Sequence, residues 1–174
     1  MKKILVVVDM QNDFITGTLG SSEAKAIVPA VKTKIEDYKK ANNKIIFTRD
    51  THNKDYLKTQ EGKYLPVEHC VIGTEGHEIA RELDSSEFEV FDKTAFGSIE
   101  LADHIAAISV DFDEIEICGL CTDICVVSNA LIFKARFPEK KLTVDALCCA
   151  GVTKESHKAA LLTMKMCQVN IVNE

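Results

Sequence analysis

The sequence predicts an α/β fold, an open sandwich in which helices cross over a parallel sheet. Three observations carry this expectation. Short apolar runs rich in Val and Ile recur along the chain, and runs apolar on both faces suit strands buried on both sides of a parallel sheet. Longer stretches of helical periodicity lie between them, and alternating β and α patterns favour right-handed crossovers. No repeat, low-complexity segment or Pro/Gly-rich linker divides the 174 residues, which suits one domain over residues 1–174.

In chain order, strands are expected at residues 4–8, 44–48, 88–91, 115–118, 142–147 and 169–172. The first is an uninterrupted Ile-Leu-Val-Val-Val run, and the others are similarly rich in Ile, Val, Leu and Phe. Helical spacing places helices at about 22–42, 77–83, 98–108, 123–136 and 154–167. In the last of these, Ala159, Leu161, Leu162 and Met166 fall on one face, and Thr153 suits the N-cap.

Composition narrows the function classes. Hydrophobic residues make up 46% and charged residues 28%, values of an ordinary globular protein rather than a disordered chain. The net charge of −6 repels phosphate backbones and anionic lipid, so neither nucleic acid nor a membrane surface is expected as a partner. The apolar run at 4–8 is far too short to span a bilayer and no signal-peptide pattern follows it, so the cytoplasm is the expected compartment. The seven cysteines are odd in number and sit in a chain rich in regular elements. Most are expected to be free thiols filling the core, with one left for chemistry. There is no tryptophan.

Open α/β sheets gather function at the carboxyl ends of their strands, and three ends carry reactive groups. The first strand runs into Asp9, whose burial is costly unless it is paired; Asp13, four residues on, reads as structural. The third ends in Asp92-Lys93-Thr94-Ala95-Phe96-Gly97-Ser98. A Lys93 placed beside Asp9 would offset the desolvation of both ions. The fourth leads through Cys118-Gly119-Leu120-Cys121-Thr122-Asp123-Ile124-Cys125. A cysteine in a first helical turn feels the helix N-terminus, which lowers a thiol pKa, and free N–H groups there can hold an oxyanion. Cys125 is so placed, and Asp9, Lys93 and Cys125 would supply a base, an electrostatic partner and a nucleophile. The same segment also fits dithiol redox chemistry through Cys118 and Cys121, or a thiolate metal site. Against these, Cys118 lies inside the apolar run and no fourth ligand follows at short spacing.

A second constellation follows the second strand, where Asp50 and His52 are two apart and His69 lies further on. Two histidines and a carboxylate are the donor pattern of an open catalytic divalent-metal site, although such residues in loops are often only solvated. Of the remaining histidines, His77 and His104 read as surface positions, and His157 as a solvated or capping residue in the first turn of the last helix.

Taken together, the motifs resemble the isochorismatase-like cysteine hydrolases, and among them the nicotinamidases. The matching pieces are Val8-Asp9-Met10-Gln11-Asn12-Asp13-Phe14 with Gly17 and Leu19-Gly20, Arg49-Asp50-Thr51-His52, Leu65-Pro66-Val67-Glu68-His69-Cys70-Val71-Ile72-Gly73-Thr74-Glu75-Gly76, the 92–98 segment and Gly119 to Val126. They occur in family order over almost the whole chain. The resemblance implies a three-layer α/β/α sandwich with a six-stranded parallel sheet. It further implies a catalytic set of Asp9, Lys93 and Cys125, and one divalent metal ion (zinc, with iron, manganese or magnesium as other occupants) on Asp50, His52, His69 and, in some members, Glu61. It also implies a cis peptide before Cys121 that turns the Cys121 N–H toward that of Cys125 as an oxyanion hole. The implied activity is hydrolysis of nicotinamide to nicotinic acid and ammonia in NAD salvage, with the ring near Phe14 and Phe96. Where many nicotinamidases carry a tryptophan before the proline matching Pro66, this chain has Leu65. The alternative is another small-amide, ureido or carbamoyl hydrolase, or an isochorismatase-type hydrolase, of the same superfamily. Relatives often form homo-oligomers, so the resemblance allows one here, although no coiled-coil pattern or interface stripe is readable.

Overall fold

The structure is a computed structural model that describes residues 2–108 and 112–174. Its strands are β1 (Lys3–Val8), β2 (Lys44–Asp50), β3 (Glu89–Lys93), β4 (Glu114–Leu120), β5 (Lys141–Ala150) and β6 (Asn170–Val172). They form one sheet of order β3-β2-β1-β4-β5-β6, parallel throughout. The helices are α1 (Asn12–Ile15), α2 (Ser22–Lys40), α3 (Gln60–Tyr64), α4 (Ile99–Ala107), α5 (Val127–Arg136) and α6 (Lys154–Met166). A single π-helical stretch, Thr122–Val126, joins β4 to α5.

The two central strands, β1 and β4, are the most buried, β4 along its whole length even though it carries Glu114 and Glu116. In α2 the buried residues Ala24, Ile27, Val31, Ile35 and Tyr38 follow the three-and-four spacing of one helical face, and the Ser21 side chain caps the helix by accepting from Ala24 N–H. That face packs on β2, β4 and β5, while α4, α5 and α6 pack side by side. From β1 the chain steps outward to β2 and β3, then returns to the other side of β1 for β4, β5 and β6. Right-handed crossovers in opposite directions put α2 and the α4–α6 group on opposite faces. This is the expected three-layer, six-stranded sandwich, and the order reverses between β1 and β4.

Four local expectations change. Residues 77–83 do not form a helix: single 3-10 turns at Glu75–His77 and Arg81–Leu83 flank an extended piece. That piece pairs with the chain leaving β1, Gln11 bridging Ile79, Ala80 N–H donating to Met10 O and Asn12 N–H to Glu78 O. A window this short cannot offset the cost of helix nucleation once an extended partner competes. Second, α6 is capped by Thr153 as expected, with Ser156 completing a capping box, but it buries Ala160, Leu161 and Met164. Of the expected stripe Leu161 is buried, whereas Ala159 is exposed and Leu162 and Met166 are 60% and 77% exposed; the stripe is helical but mostly points outward. Third, 123–136 begins as the π-helical stretch rather than as α-helix. Fourth, β2, β4 and β5 run further than expected, to Asp50, Leu120 and Ala150. Near its end β4 shifts register between Ile117 and Gly119. Gly119 has φ +117°, and a Cβ there would lie 2.1 Å from Val8 O. Only glycine lets β4 approach β1 this closely.

Candidate active site

Four chemistry-bearing residues meet where the strand order reverses, because each closes or follows a different strand. Asp9 directly follows β1 with φ 47° and is fully buried. Its N–H donates to Thr48 O at 3.2 Å, and its Oδ1 accepts from the Thr48 hydroxyl at 2.6 Å. Lys93 closes β3 beside Asp50, which closes β2. The Lys93 Nζ lies 2.7 Å from Asp9 Oδ2 and 3.2 Å from Asp50 Oδ1, donates to Ala95 O at 3.1 Å, and sits 3.4 Å from Cys125 Sγ. The Cys125 thiol is itself buried beside this ammonium.

Burial decides the protonation of this cluster. Desolvation raises the Asp9 carboxyl, with the Asp50 charge adding to the rise and Lys93 opposing it. Burial and then the Asp9 charge push the Cys125 thiol well up. The expected lowering of that thiol by a helix N-terminus is therefore outweighed. Burial alone would discharge Lys93, but Asp9, Cys125 and Asp50 outweigh it and hold the ammonium charged. The result is a protonated thiol and a carboxylate of raised proton affinity gathered around one fixed cation. Such an arrangement can move a proton from sulfur to oxygen without changing the net charge of the buried cluster.

The second set assembles on the same side of the sheet. Asp50, His52, Glu61 and His69 offer donor atoms all within 4.8 Å of one another. His52 Nε2 lies 3.0 Å from Asp50 Oδ2 and 3.7 Å from Glu61 Oε1; His69 Nε2 lies 3.5 Å and 3.6 Å from the same atoms. Tetrahedral ligands at about 2.1 Å from an ion stand about 3.4 Å apart, so these separations fit a divalent cation. His69 Nδ1 lies 2.8 Å from Val67 O, so an Nδ1–H donated there leaves Nε2 free to ligate. Gln11, fully buried, clamps the backbone of Asp50: its Nε2 donates to Asp50 O and to His77 O, each at 2.8 Å, and its Oε1 accepts from Asp50 N–H at 2.7 Å. Tyr56, also fully buried, packs its ring 4.6 Å from that of His52 and 4.9 Å from that of His69.

Both sets open on one pocket of about 960 Å³, whose lining includes Cys125, Cys121, Asp50, His52, Glu61 and His69. Phe14, Phe96 and Leu65 line it too. Phe14 is nearly buried against His69, whereas Phe96 and Leu65 are partly exposed at 44% and 37%. The peptide between Leu120 and Cys121 is cis.

Other expectations sort themselves by location. Asp13 accepts from Cys70 N–H at 2.8 Å and sits where a Cβ on Gly76 would touch it, which is a loop-tying role. Cys118 is fully buried in β4, and every cysteine is a free thiol. His104 is partly exposed beside Glu89. His77 corrects the surface reading: it is 3% exposed, with Nε2 2.9 Å from Thr51 Oγ1. His157 is half-buried, its Nδ1 2.8 Å from Thr122 Oγ1. Gln11, Thr48, Tyr56 and Tyr64 escaped the sequence reading. Gln11 lay inside a quoted motif, but its amide's targets are backbone groups more than thirty residues away. Among the described residues, no helix is long and apolar enough to cross a membrane.

The Isochorismatase domain family matches residues 3–173. The nicotinamidase/pyrazinamidase of Mycobacterium tuberculosis is 29% identical, with 98% of each chain covered. The nicotinamidase of Schizosaccharomyces pombe is 26% identical, over 98% of this chain and 92% of that one. Among solved structures, the pyrazinamidase of Pyrococcus horikoshii in complex with zinc superposes with a TM-score of 0.87 at 27% identity, covering all of both chains.

Proposed function

The chain belongs to the isochorismatase family, and from that premise we propose that it hydrolyses nicotinamide to nicotinic acid and ammonia through a thioester on Cys125, within NAD salvage in the cytoplasm. The observation that carries this reading is the meeting of Asp9, Lys93 and Cys125 around one buried ammonium, with Cys125 on the wall of the pocket that Asp50, His52, Glu61 and His69 also line. The relatives named for nicotinamide and pyrazinamide hydrolysis support the choice of amide.

The residues act as follows. The aromatic amide lies against Phe14 and Phe96, with Leu65 closing the pocket. Asp9 takes the proton of the Cys125 thiol, and the sulfur attacks the amide carbon. The oxyanion is held by the N–H groups of Cys121 and Cys125, each such donor contributing about 3 kcal/mol to the transition state. As the carbon–nitrogen bond breaks, Asp9 returns its proton to the nitrogen and ammonia leaves. Asp9 then takes a proton from water, the hydroxide attacks the thioester, and the departing sulfur recovers that proton. Throughout, Lys93 stays charged and stabilises the negative charge whether it sits on the Asp9 carboxylate or on the Cys125 sulfur. Asp50, His52, His69 and Glu61 would hold a divalent ion, zinc first by donor type, with iron, manganese or magnesium as other occupants. When bound, that ion supplies Lewis acidity toward the ring nitrogen and water.

Ammonia release from nicotinamide and pyrazinamide tests the reading. The wild type is expected to turn over both, and Cys125→Ala neither, with an unchanged metal content of about one ion per chain by elemental analysis. Activity kept by Cys125→Ala, or release from an N-carbamoyl compound in place of nicotinamide, would overturn it.

A further inference from the structure

The turn that carries both Cys121 and Cys125 is short: Ile124 and Val126 N–H both donate to Cys121 O, and from α5 the Ser128 hydroxyl donates to Ile124 O at 2.6 Å and Asn129 Nδ2 to Cys125 O at 2.8 Å. Asn129 links that end of the turn to Phe96 O and Ser98 N–H, and the other end, at Thr122 and Asp123, is held from the junction of β5 and α6. The Asp123 carboxylate accepts the Val152 N–H at 3.1 and 3.2 Å, one distance to each oxygen. Beside it, the fully buried Thr122 hydroxyl meets Nδ1 of His157 at 2.8 Å, and this is the one hydrogen bond recorded for that hydroxyl among the described residues. His157 has no room to move the other way: a Cβ on Gly151 would lie 2.9 Å from the His157 Cβ and 3.0 Å from its Cα and N, so α6 sits directly on the end of β5. Its backbone is fixed as well, its N–H donating at 3.0 Å to the O of Thr153, the helix cap.

We propose that His157 is a positioning residue for the hydrolysis. Acting through the Thr122 hydroxyl, it holds the 121–126 turn so that the Cys125 sulfur and the Cys121 N–H keep their places on the pocket wall. His157 does not line the pocket itself, so it acts on the geometry of the reacting atoms and not on substrate binding. This rests on the reading of Cys125 as nucleophile given above. A small misplacement of a nucleophile can cost about a hundredfold in rate, far more than one lost hydrogen bond costs in stability. The interaction therefore belongs to kcat.

His157→Ala is expected to lower kcat for nicotinamide at least about tenfold, with KM changed less than about twofold and metal content unaltered. His157→Asn, whose amide can occupy the place of Nδ1, is expected to restore most of the rate. Thr122→Val is expected to match His157→Ala, and the double variant to be no slower than either, as for two residues acting through one bond. A second measurement does not need the substrate: the rate of Cys125 carbamidomethylation by iodoacetamide, followed by peptide mapping because six other thiols are present. It should change in His157→Ala and return toward wild type in His157→Asn. If the wild type fails to hydrolyse nicotinamide yet alkylation follows this pattern, the substrate reading falls and the positioning role stands. If both single variants keep wild-type kcat and alkylation rate, or their losses simply multiply, the proposal is overturned.

Discussion

Lys93 is the residue on which the buried charges depend. Its ammonium is almost wholly buried and within 3.2 Å of two carboxylates, Asp9 and Asp50. Removing one partner from a buried ion pair leaves the other without compensation, a loss of about 3 kcal/mol or more. Lys93→Met is expected to lower the free energy of urea unfolding by that amount as well as to stop turnover; a variant of wild-type stability would show that the carboxylates are not charged together. The residue scale is also where the sequence was most legible. Asp9, Lys93 and Cys125 each close or follow an apolar run, and a charged or reactive group there is visible without coordinates. Gln11 was not, since an amide reveals nothing about which distant backbone it will clamp. Nor was the His157–Thr122 contact, thirty-five residues apart along the chain.

At the scale of elements, alternation of apolar runs and helical stretches was enough to mark the strands and their crossovers but not their order in the sheet. Burial shows as an unbroken apolar run in β1 but not in β4, which carries Glu114 and Glu116. Alternation failed where two structures competed for the same residues. The 77–83 window lost its helix to pairing with the chain leaving β1. In α6 the stripe through Ala159, Leu162 and Met166 is as periodic as the buried one, and periodicity alone does not say which face meets the sheet. Gly119 gives this scale its sharpest test. Gly119→Ala adds a methyl 2.1 Å from Val8 O at φ +117°, and the backbone conformation alone costs an L-residue about 1–3 kcal/mol. The expected result is a variant that unfolds at markedly lower urea or fails to accumulate in soluble form. Wild-type stability would mean that β4 can move off β1, and the active-site register would then be softer than described.

Among the described residues, the buried Asp, Glu and Lys side chains gather in two places across the whole molecule. One is the site at the carboxyl ends of the strands. The other is a buried network between the sheet and its flanking side chains. There Lys34 pairs with Glu116 and, at 2.8 Å, with Asp145, Asn173 donates to Asp145 at 3.1 Å, and Glu114 meets Lys3 at 2.9 Å and Lys141 at 3.0 Å. Burial would raise the Asp145 and Glu114 carboxyls, but the lysines and the Asn173 and Thr143 hydrogen bonds outweigh it and hold both below their ordinary values. Their stabilisation is therefore present above the unfolded pKa, about 4, and is lost as pH falls through the lower folded values. The urea midpoint is expected to hold from pH 7 to 5 and to drop between about pH 4 and 2. A flat midpoint across that range would show that the network contributes nothing to folding.

The linear order of residues settled the α/β class, the sheet-forming runs, the family resemblance and the reactive groups at the strand ends. Each of these is written in local hydrophobic period or in residue type at a boundary. Tertiary structure alone decided how those groups meet. It set the Lys93 Nζ between Asp9 and Asp50, brought His69 to His52 across a loop, and turned His77 inward. It also raised the Cys125 thiol where helix position by itself favoured lowering it. The reason is the same in each case. Desolvation and hydrogen-bond partners depend on what surrounds a group in space, and at this sheet's switch point those surroundings come from four separate strands.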